Sequence, residues 1–170
     1  MAKKISLREF QQGLVSRIQN ATQATVTSTR LGVQAGPENW LLDLTDASEV
    51  VPLPGLTPAP LTQNWFCGVA NVRGNLYSVV DFSAFQGFEQ TPQNVESRLL
   101  LVNSRYLDNA ALLVTRMLGL KNVDDLIAQE PETAGRPWIA AHYRDKAGVR
   151  WNQLDLKHLV GQPEFLQIGV

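Results

Sequence analysis

A single cysteine, Cys67, has no partner in the chain for a disulfide, and neither histidine, His142 or His158, lies near a Cys-x-x-Cys or His-x-x-x-His spacing. The lone thiol, with no secretory segment ahead of it, points to a reducing compartment, so a cytoplasmic location is expected. No metal site and no cofactor are expected either. Neither Gly-x-x-x-x-Gly-Lys nor Gly-x-Gly-x-x-Gly occurs, which removes the usual backbone cradles for phosphates. Charge is not in excess: Lys plus Arg number 15 against 16 Asp plus Glu, a net charge of −1. Nothing in that balance draws the chain toward nucleic acid. The basic tip of MAKKISLREFQQ leads into no apolar run, and no other stretch approaches the ~20 apolar residues of a membrane span, so no insertion in a bilayer is expected.

What is present is a chain of 170 residues, 44% hydrophobic, long enough to bury about 70% of its unfolded surface without staples. Residues 6–20 read as an amphipathic helix, with Leu7, Phe10, Leu14, Val15 and Ile18 on one face. Ser6 can cap it, Glu9 can close a capping box, and Ile5 can staple onto Phe10. The polar, Thr-rich residues 20–30 read as a linker, giving an N-terminal unit of residues 1–30. The helix face has three possible uses, of which packing on the body of the fold is the one expected, ahead of docking a partner or lying on a membrane surface. Its polar side carries only Lys3, Lys4, Arg8 and Arg17, which disfavours the last.

From Leu31 the pattern changes to short apolar runs between turn residues, with strands expected at 40–44, 66–72, 76–80, 99–102, 110–115, 138–143 and 149–154. None of Pro52, Pro54, Pro58 and Pro60 has an N–H to donate to a ladder, so they mark a loop or a sheet edge. Shifted by 74 residues, 71–87 aligns with the chain's second half without gaps. Gly74 meets Gly148, Tyr77 meets Trp151, Asp81 meets Asp155, Phe82 meets Leu156, Phe85 meets Leu159 and Gly87 meets Gly161. Each copy reads as a hairpin turn, a strand, a capping Asp, one helical turn and a closing Gly. Units of about 70 residues made of short strands point to two small barrels of SH3-like or similar form. Trp40, Trp65, Trp138 and Trp151 supply large anchors for their cores.

Candidate reagents are few. Cys67 follows Trp65 and Phe66 in an apolar strand and reads as a small hydrophobe. Asp81 and Asp155 could be an acid–base pair, but their matched places after a strand read as helix caps. An enzyme would have to rely on Asp81, His142 and Cys67, and no convergent set of titratable groups is evident, so the chain is expected not to be an enzyme. An oligonucleotide-binding barrel is the other alternative, and the neutral charge argues against it. The most informative segment is GVANVRGNLYSVVDF at 68–82, a hairpin with Asn71 and Arg73 at and beside a Gly74-Asn75 turn. An exposed guanidinium there suits recognition of a protein partner, and equally a solvated turn.

WLLDLTDASEVVPLP at 40–54, the Pro-rich loop, GVANVRG at 68–74, VVDFSAFQG at 79–87, LLLV at 99–102, ALLV at 111–114 and LDLKHLVG at 154–161 together resemble the CheW-like family of chemotaxis coupling proteins. The resemblance spans about residues 31–165, with halves near 31–95 and 98–165 and a tail at 166–170. It implies a mostly β fold of two intertwined five-stranded SH3-like barrels. It also implies a non-catalytic adaptor that couples a CheA-like histidine kinase to the cytoplasmic tip of a methyl-accepting chemoreceptor. By position, Arg73 and Gly74 match the family's partner-binding hairpin, with Asn71 beside it, and Glu49 with Val50 match a Glu–apolar pair ending the early strand region. The N-terminal helix and the wording GVANVRGNLYSVVD are most similar to the pilus-associated, PilI-type branch, which serves twitching motility. A flagellar coupling protein is the alternative. RMLGLKNVDDL at 116–126 and PWIAAHYRDKAGVRW at 137–151 carry few motif residues, so the resemblance assigns no kinase contacts there.

Overall fold

The computed structural model describes residues 7–132 and 135–170. The expected capping residues Ile5 and Ser6 lie outside this range. Helix α1 runs over Leu7–Ser28 and passes directly into strand β1, Thr29–Ala35. The linker expected at 20–30 is therefore absent. No Gly or Pro interrupts the chain between Leu14 and Arg30, and polar composition alone does not stop a helix. Leu14, Val15 and Ile18 are 50%, 53% and 58% exposed, so this part of the apolar face does not pack onto the body of the protein as expected.

The remaining elements are β2 (Glu38–Asp43), β3 (Ala47–Pro52), β4 (Leu56–Thr57), β5 (Phe66–Val72), β6 (Asn75–Asp81), α2 (Phe82–Phe85), β7 (Arg98–Val102), β8 (Ala110–Val114), β9 (Arg116–Asn122), β10 (Ile127–Gln129), β11 (Ile139–Arg144), β12 (Arg150–Leu154), α3 (Leu156–Val160) and α4 (Pro163–Leu166). They form two sheets, β10-β11-β12-β2-β1-β9 and β3-β7-β8-β6-β5-β4. Each has five longer strands and one short edge strand, β10 or β4. The pairs β12–β2 and β6–β8 are parallel and all others antiparallel.

Substituting β7–β12 for β1–β6 turns one strand order into the other, so the duplication is structural. Each sheet takes the first two strands of one half and the last four of the other. The two halves are thus exchanged, and no cut in the sequence separates the sheets. The proline-rich passage behaves as its composition requires, because Pro52 ends β3 at one edge of its sheet and Pro58 follows β4 at the other.

LLLV and ALLV are continuous apolar runs because β7 and β8 are buried on both faces. Leu99, Leu101, Ala111 and Leu113 pack with Ala70 and Val79 inside the second sheet. Leu100, Val102, Leu112 and Val114 face a larger cluster that includes Val33, Trp40 and Leu42 of the first sheet and Phe82, Leu156 and Leu159. This shared cluster fixes one sheet against the other. Trp40 and Trp65 belong to it, Trp138 packs at its border, and Trp151 is 3% exposed in the first sheet beneath Lys121.

Candidate functional site

Strand β5 pairs with β6 so that Val72 faces Asn75, which makes Arg73 and Gly74 the two turn residues. The turn is thus one residue earlier than the Gly74-Asn75 turn expected. Both residues have positive φ, 50° and 86°, as the tight primed turn of a two-residue hairpin requires. Glycine adopts that backbone freely, but arginine does so at a cost. Asn71 holds the turn through its Oδ1, which accepts from the Gly74 amide at 2.9 Å.

The Arg73 guanidinium donates to the Glu49 carboxylate on β3. Glu49 is thrown toward the hairpin by a register shift between Ala47 and Glu49. Arg73 and Glu49 keep 66% and 42% of their side-chain surface exposed, so the pair holds its shape while remaining open to a partner. Arg73, Gly74, Asn71 and Glu49 therefore come together at one corner. Val50 does not join them, since it alternates to the other face and packs against the shared core. Nor do Glu49 and Val50 end a strand; they lie within β3, which the strand reading of the sequence missed along with β1, β4, β9 and β10. Leu76, opposite Asn71 and 61% exposed, adds an apolar side chain to this corner. Its signal was present in the alternation of Asn75-Leu76-Tyr77-Ser78, where Leu76 and Tyr77 must point to opposite faces.

The equivalent hairpin between β11 and β12 keeps its glycine, with Gly148 at φ 81°. The position matching Arg73 there is Ala147, so the second hairpin has no guanidinium at its turn position, and its arginines, Arg144 and Arg150, flank the turn instead.

The other candidates are structural in their surroundings. Asp81 is 2% exposed and accepts from the amides of Ser83, Ala84 and Thr91 and from the Thr91 hydroxyl. Asp155 caps α3 by accepting from the His158 amide at 3.0 Å. Burial, reinforced by the charge of Asp81, pushes the Cys67 thiol up to about 11, which is the opposite of activation. His142 lies on β11 in the other sheet, 2.8 Å from Asn152 and 3.0 Å from Arg150 through Nδ1, and so does not converge with Cys67 and Asp81. Among the described residues no cluster of His, Cys, Asp or Glu could hold a metal ion, and no helix is long and apolar enough to cross a membrane.

The model of the CheW-like domain matches residues 30–164, the whole of this double-sheet body. The chain belongs to the CheW-like domain family. It is 34% identical over 125 residues to the protein PilI of Pseudomonas aeruginosa, covering 70% of this chain and 69% of that one. It is 30% identical over 107 residues to the chemotaxis protein CheW of Helicobacter pylori, covering 61% and 62%. Among solved structures it is similar to the scaffolding protein TtCheW from Thermoanaerobacter tengcongensis, with a TM-score of 0.66 and 20% identity over 80% of this chain and 94% of that one. At that identity the likeness establishes the shared fold. The CheW-like fold and the resemblance to PilI-type members expected from the sequence both hold.

Proposed function

We propose that this CheW-like chain is a non-catalytic cytoplasmic adaptor that couples a CheA-like histidine kinase to the cytoplasmic tip of a methyl-accepting chemoreceptor, in a chemotaxis-type system governing type IV pilus twitching. The observation that carries the reading is the Arg73–Glu49 corner, an exposed ion pair presented by a strained turn at the end of a hairpin of the second sheet. A residue held in an unfavourable backbone region at an exposed tip points to use by a partner. Similarity to PilI favours the pilus over the flagellum as output.

In this mechanism the protein works by position. An edge of one sheet docks a like barrel of the kinase while the corner formed by Asn71, Arg73, Gly74 and Glu49 engages the receptor. Holding both partners on one body raises their effective concentration, so modest individual affinities still yield a stable assembly. The test is calorimetric titration with the regulatory domain of the kinase and, separately, with a receptor-tip fragment, using wild type and Arg73→Glu. Saturable kinase binding by both proteins, with receptor binding lost only in the variant, is expected. Absence of wild-type binding to the kinase domain would remove the coupling role.

A further inference from the structure

The hairpin between β11 and β12 has no guanidinium at its turn but carries two just behind it. Arg144 and Arg150 are cross-strand partners, directly opposite each other in the register, so their side chains leave the same face of the first sheet. Like charges placed opposite each other lower stability unless an anion answers them. The Arg150 guanidinium is steadied by His142, 4% exposed, whose Nδ1 lies 3.0 Å from the Arg150 Nη2. Arg144 donates to the Gly148 carbonyl at 3.1 Å and, among the described residues, pairs with no carboxylate.

Both arginines line an open cleft of about 420 Å³, together with Gln129, Glu130, Pro131 and Glu132. A carboxylate already stands against one of them, the Glu132 Oε1 lying 2.9 Å from the Arg150 Nη1. The Arg150 hydrogen bond chiefly, then the charge of Arg150 and the neighbouring His142 and Arg136, outweigh desolvation and hold the Glu132 carboxyl below its usual range. This cleft therefore favours an ionised carboxylate. The pair is also easily replaced. Arg150 and Glu132 keep 40% and 57% of their side-chain surface exposed, and an ion pair so open to water and salt is weak. Glu130, Pro131 and Glu132 follow β10 and belong to no helix or strand, so they can move aside without breaking a ladder.

We propose that the Arg144–Arg150 cleft docks an acidic, extended segment of a protein partner, and that Glu130-Pro131-Glu132 is the internal stand-in which that segment displaces. The strap brings two carboxylates to the cleft but engages only one of its two guanidinium forks. A segment whose carboxylates reach both arginines gains paired, charge-assisted hydrogen bonds that the strap leaves unmade. The inference is separate from the kinase and receptor reading, since its test uses this chain and synthetic peptides alone.

The experiment is a fluorescence anisotropy titration of fluorescein-labelled hexaglutamate, with hexaglutamine as the neutral probe, at low salt. Wild type is compared with Glu132→Gln and Arg144→Gln, and with Glu164→Gln and Arg17→Gln, which change the net charge equally outside the cleft. All four positions are exposed, so each variant is expected to fold. Wild type should bind hexaglutamate saturably and hexaglutamine not at all. Removing the stand-in with Glu132→Gln should tighten binding about two- to fivefold, and Arg144→Gln should weaken it at least about fivefold. The two charge-matched variants should stay within about twofold of wild type. No saturable binding by wild type and Glu132→Gln, tightening no greater than that of Glu164→Gln, or wild-type affinity in Arg144→Gln would each overturn the proposal.

Discussion

Arg73, at the turn between β5 and β6, closes an ion pair with Glu49 on β3, so the hairpin beside one edge of the second sheet is tied to the strand at its other edge. The sheet must curl for these residues to meet, and the pair is a signature of that closure. Both side chains are largely exposed, so screening limits the contribution to within about 1 kcal/mol. Arg73→Glu and Glu49→Arg should each lower the melting temperature by no more than about 4 °C, and the double reversal should recover most of the loss. Receptor binding, in contrast, should fail in all three proteins, because the reversed pair presents its charges in exchanged places. Recovery of binding in the double variant would show that the pair serves only the fold.

Gly68, the first residue of the GVANVRG segment, is a backbone requirement rather than a contact. Its φ is +102°, and a Cβ built there would lie 2.0 Å from the Thr57 carbonyl oxygen, which is backbone of β4. Gly68→Ala must therefore push β4 from β5 and also adopt a disfavoured conformation. A loss of about 3 kcal/mol or more is expected in urea unfolding, with faster amide exchange along β4 and β5. A change below about 0.5 kcal/mol would mean the edge strand yields without penalty.

Cys67 should be slow to react. With its thiol pushed up to about 11 by burial and the nearby Asp81 charge, its thiolate fraction at pH 8 falls about two orders of magnitude below that of an ordinary thiol. Alkylation of the native protein by iodoacetamide at pH 8 should be slower by a similar factor than alkylation of the urea-unfolded chain. Equal rates would reopen a nucleophilic role for this residue.

The elements legible in the sequence were those whose pattern is local. The β5–β6 and β11–β12 hairpins announced themselves by turn glycines, β7 and β8 by doubly buried apolar runs, and the two capping aspartates by their repeat distance of 74 residues. Strands β1, β3 and β9 were not legible as strands, because their burial is mixed and depends on distant partners: β1 lies between β2 and β9, and β3 pairs only with β7. The exchange of strands between halves leaves no local trace either, since each strand would read the same beside its own half. At the candidate site, the family resemblance placed Arg73 and Glu49 in the same list. Only the register shift before Glu49 and the curl of the sheet show that they touch.

Burial makes Asp46 a source of pH dependence. Its folded pKa is raised above the ordinary 3.8, chiefly by burial and then by the Asp43 charge, against the lowering bonds from Tyr106 and Arg105. A raised carboxyl contributes stability that is present below 3.8 and lost as pH rises through the folded value. Unfolding free energies of wild type minus Asp46→Asn, taken from pH 3 to 7, should therefore fall with rising pH. A difference that is flat or rises would show that Asp46 ionises as readily in the folded chain as in the unfolded one.

The duplicated aspartates offer a comparison within one molecule. Asp81 and Asp155 occupy matching positions and both cap a short helix, but their surroundings have diverged. Asp81 is buried and also holds the segment ahead of β7 through the Thr91 amide and hydroxyl, both at 2.7 Å. Asp155 is half-buried and shares its carboxylate with the His158 amide and ring. Asp155→Ala should then cost about 1 kcal/mol, the usual value of a cap. Asp81→Ala should cost about 3 kcal/mol or more, because it leaves three buried amides and a hydroxyl without their charged acceptor. Asp81→Asn should fall between, since the amide oxygen can still accept while its nitrogen cannot. Chemical unfolding of the three variants under one buffer decides the order. Equal losses for the two alanine variants would mean that the Thr91 bonds add nothing to the cap, and the second half of the chain would then be as firmly held at this position as the first.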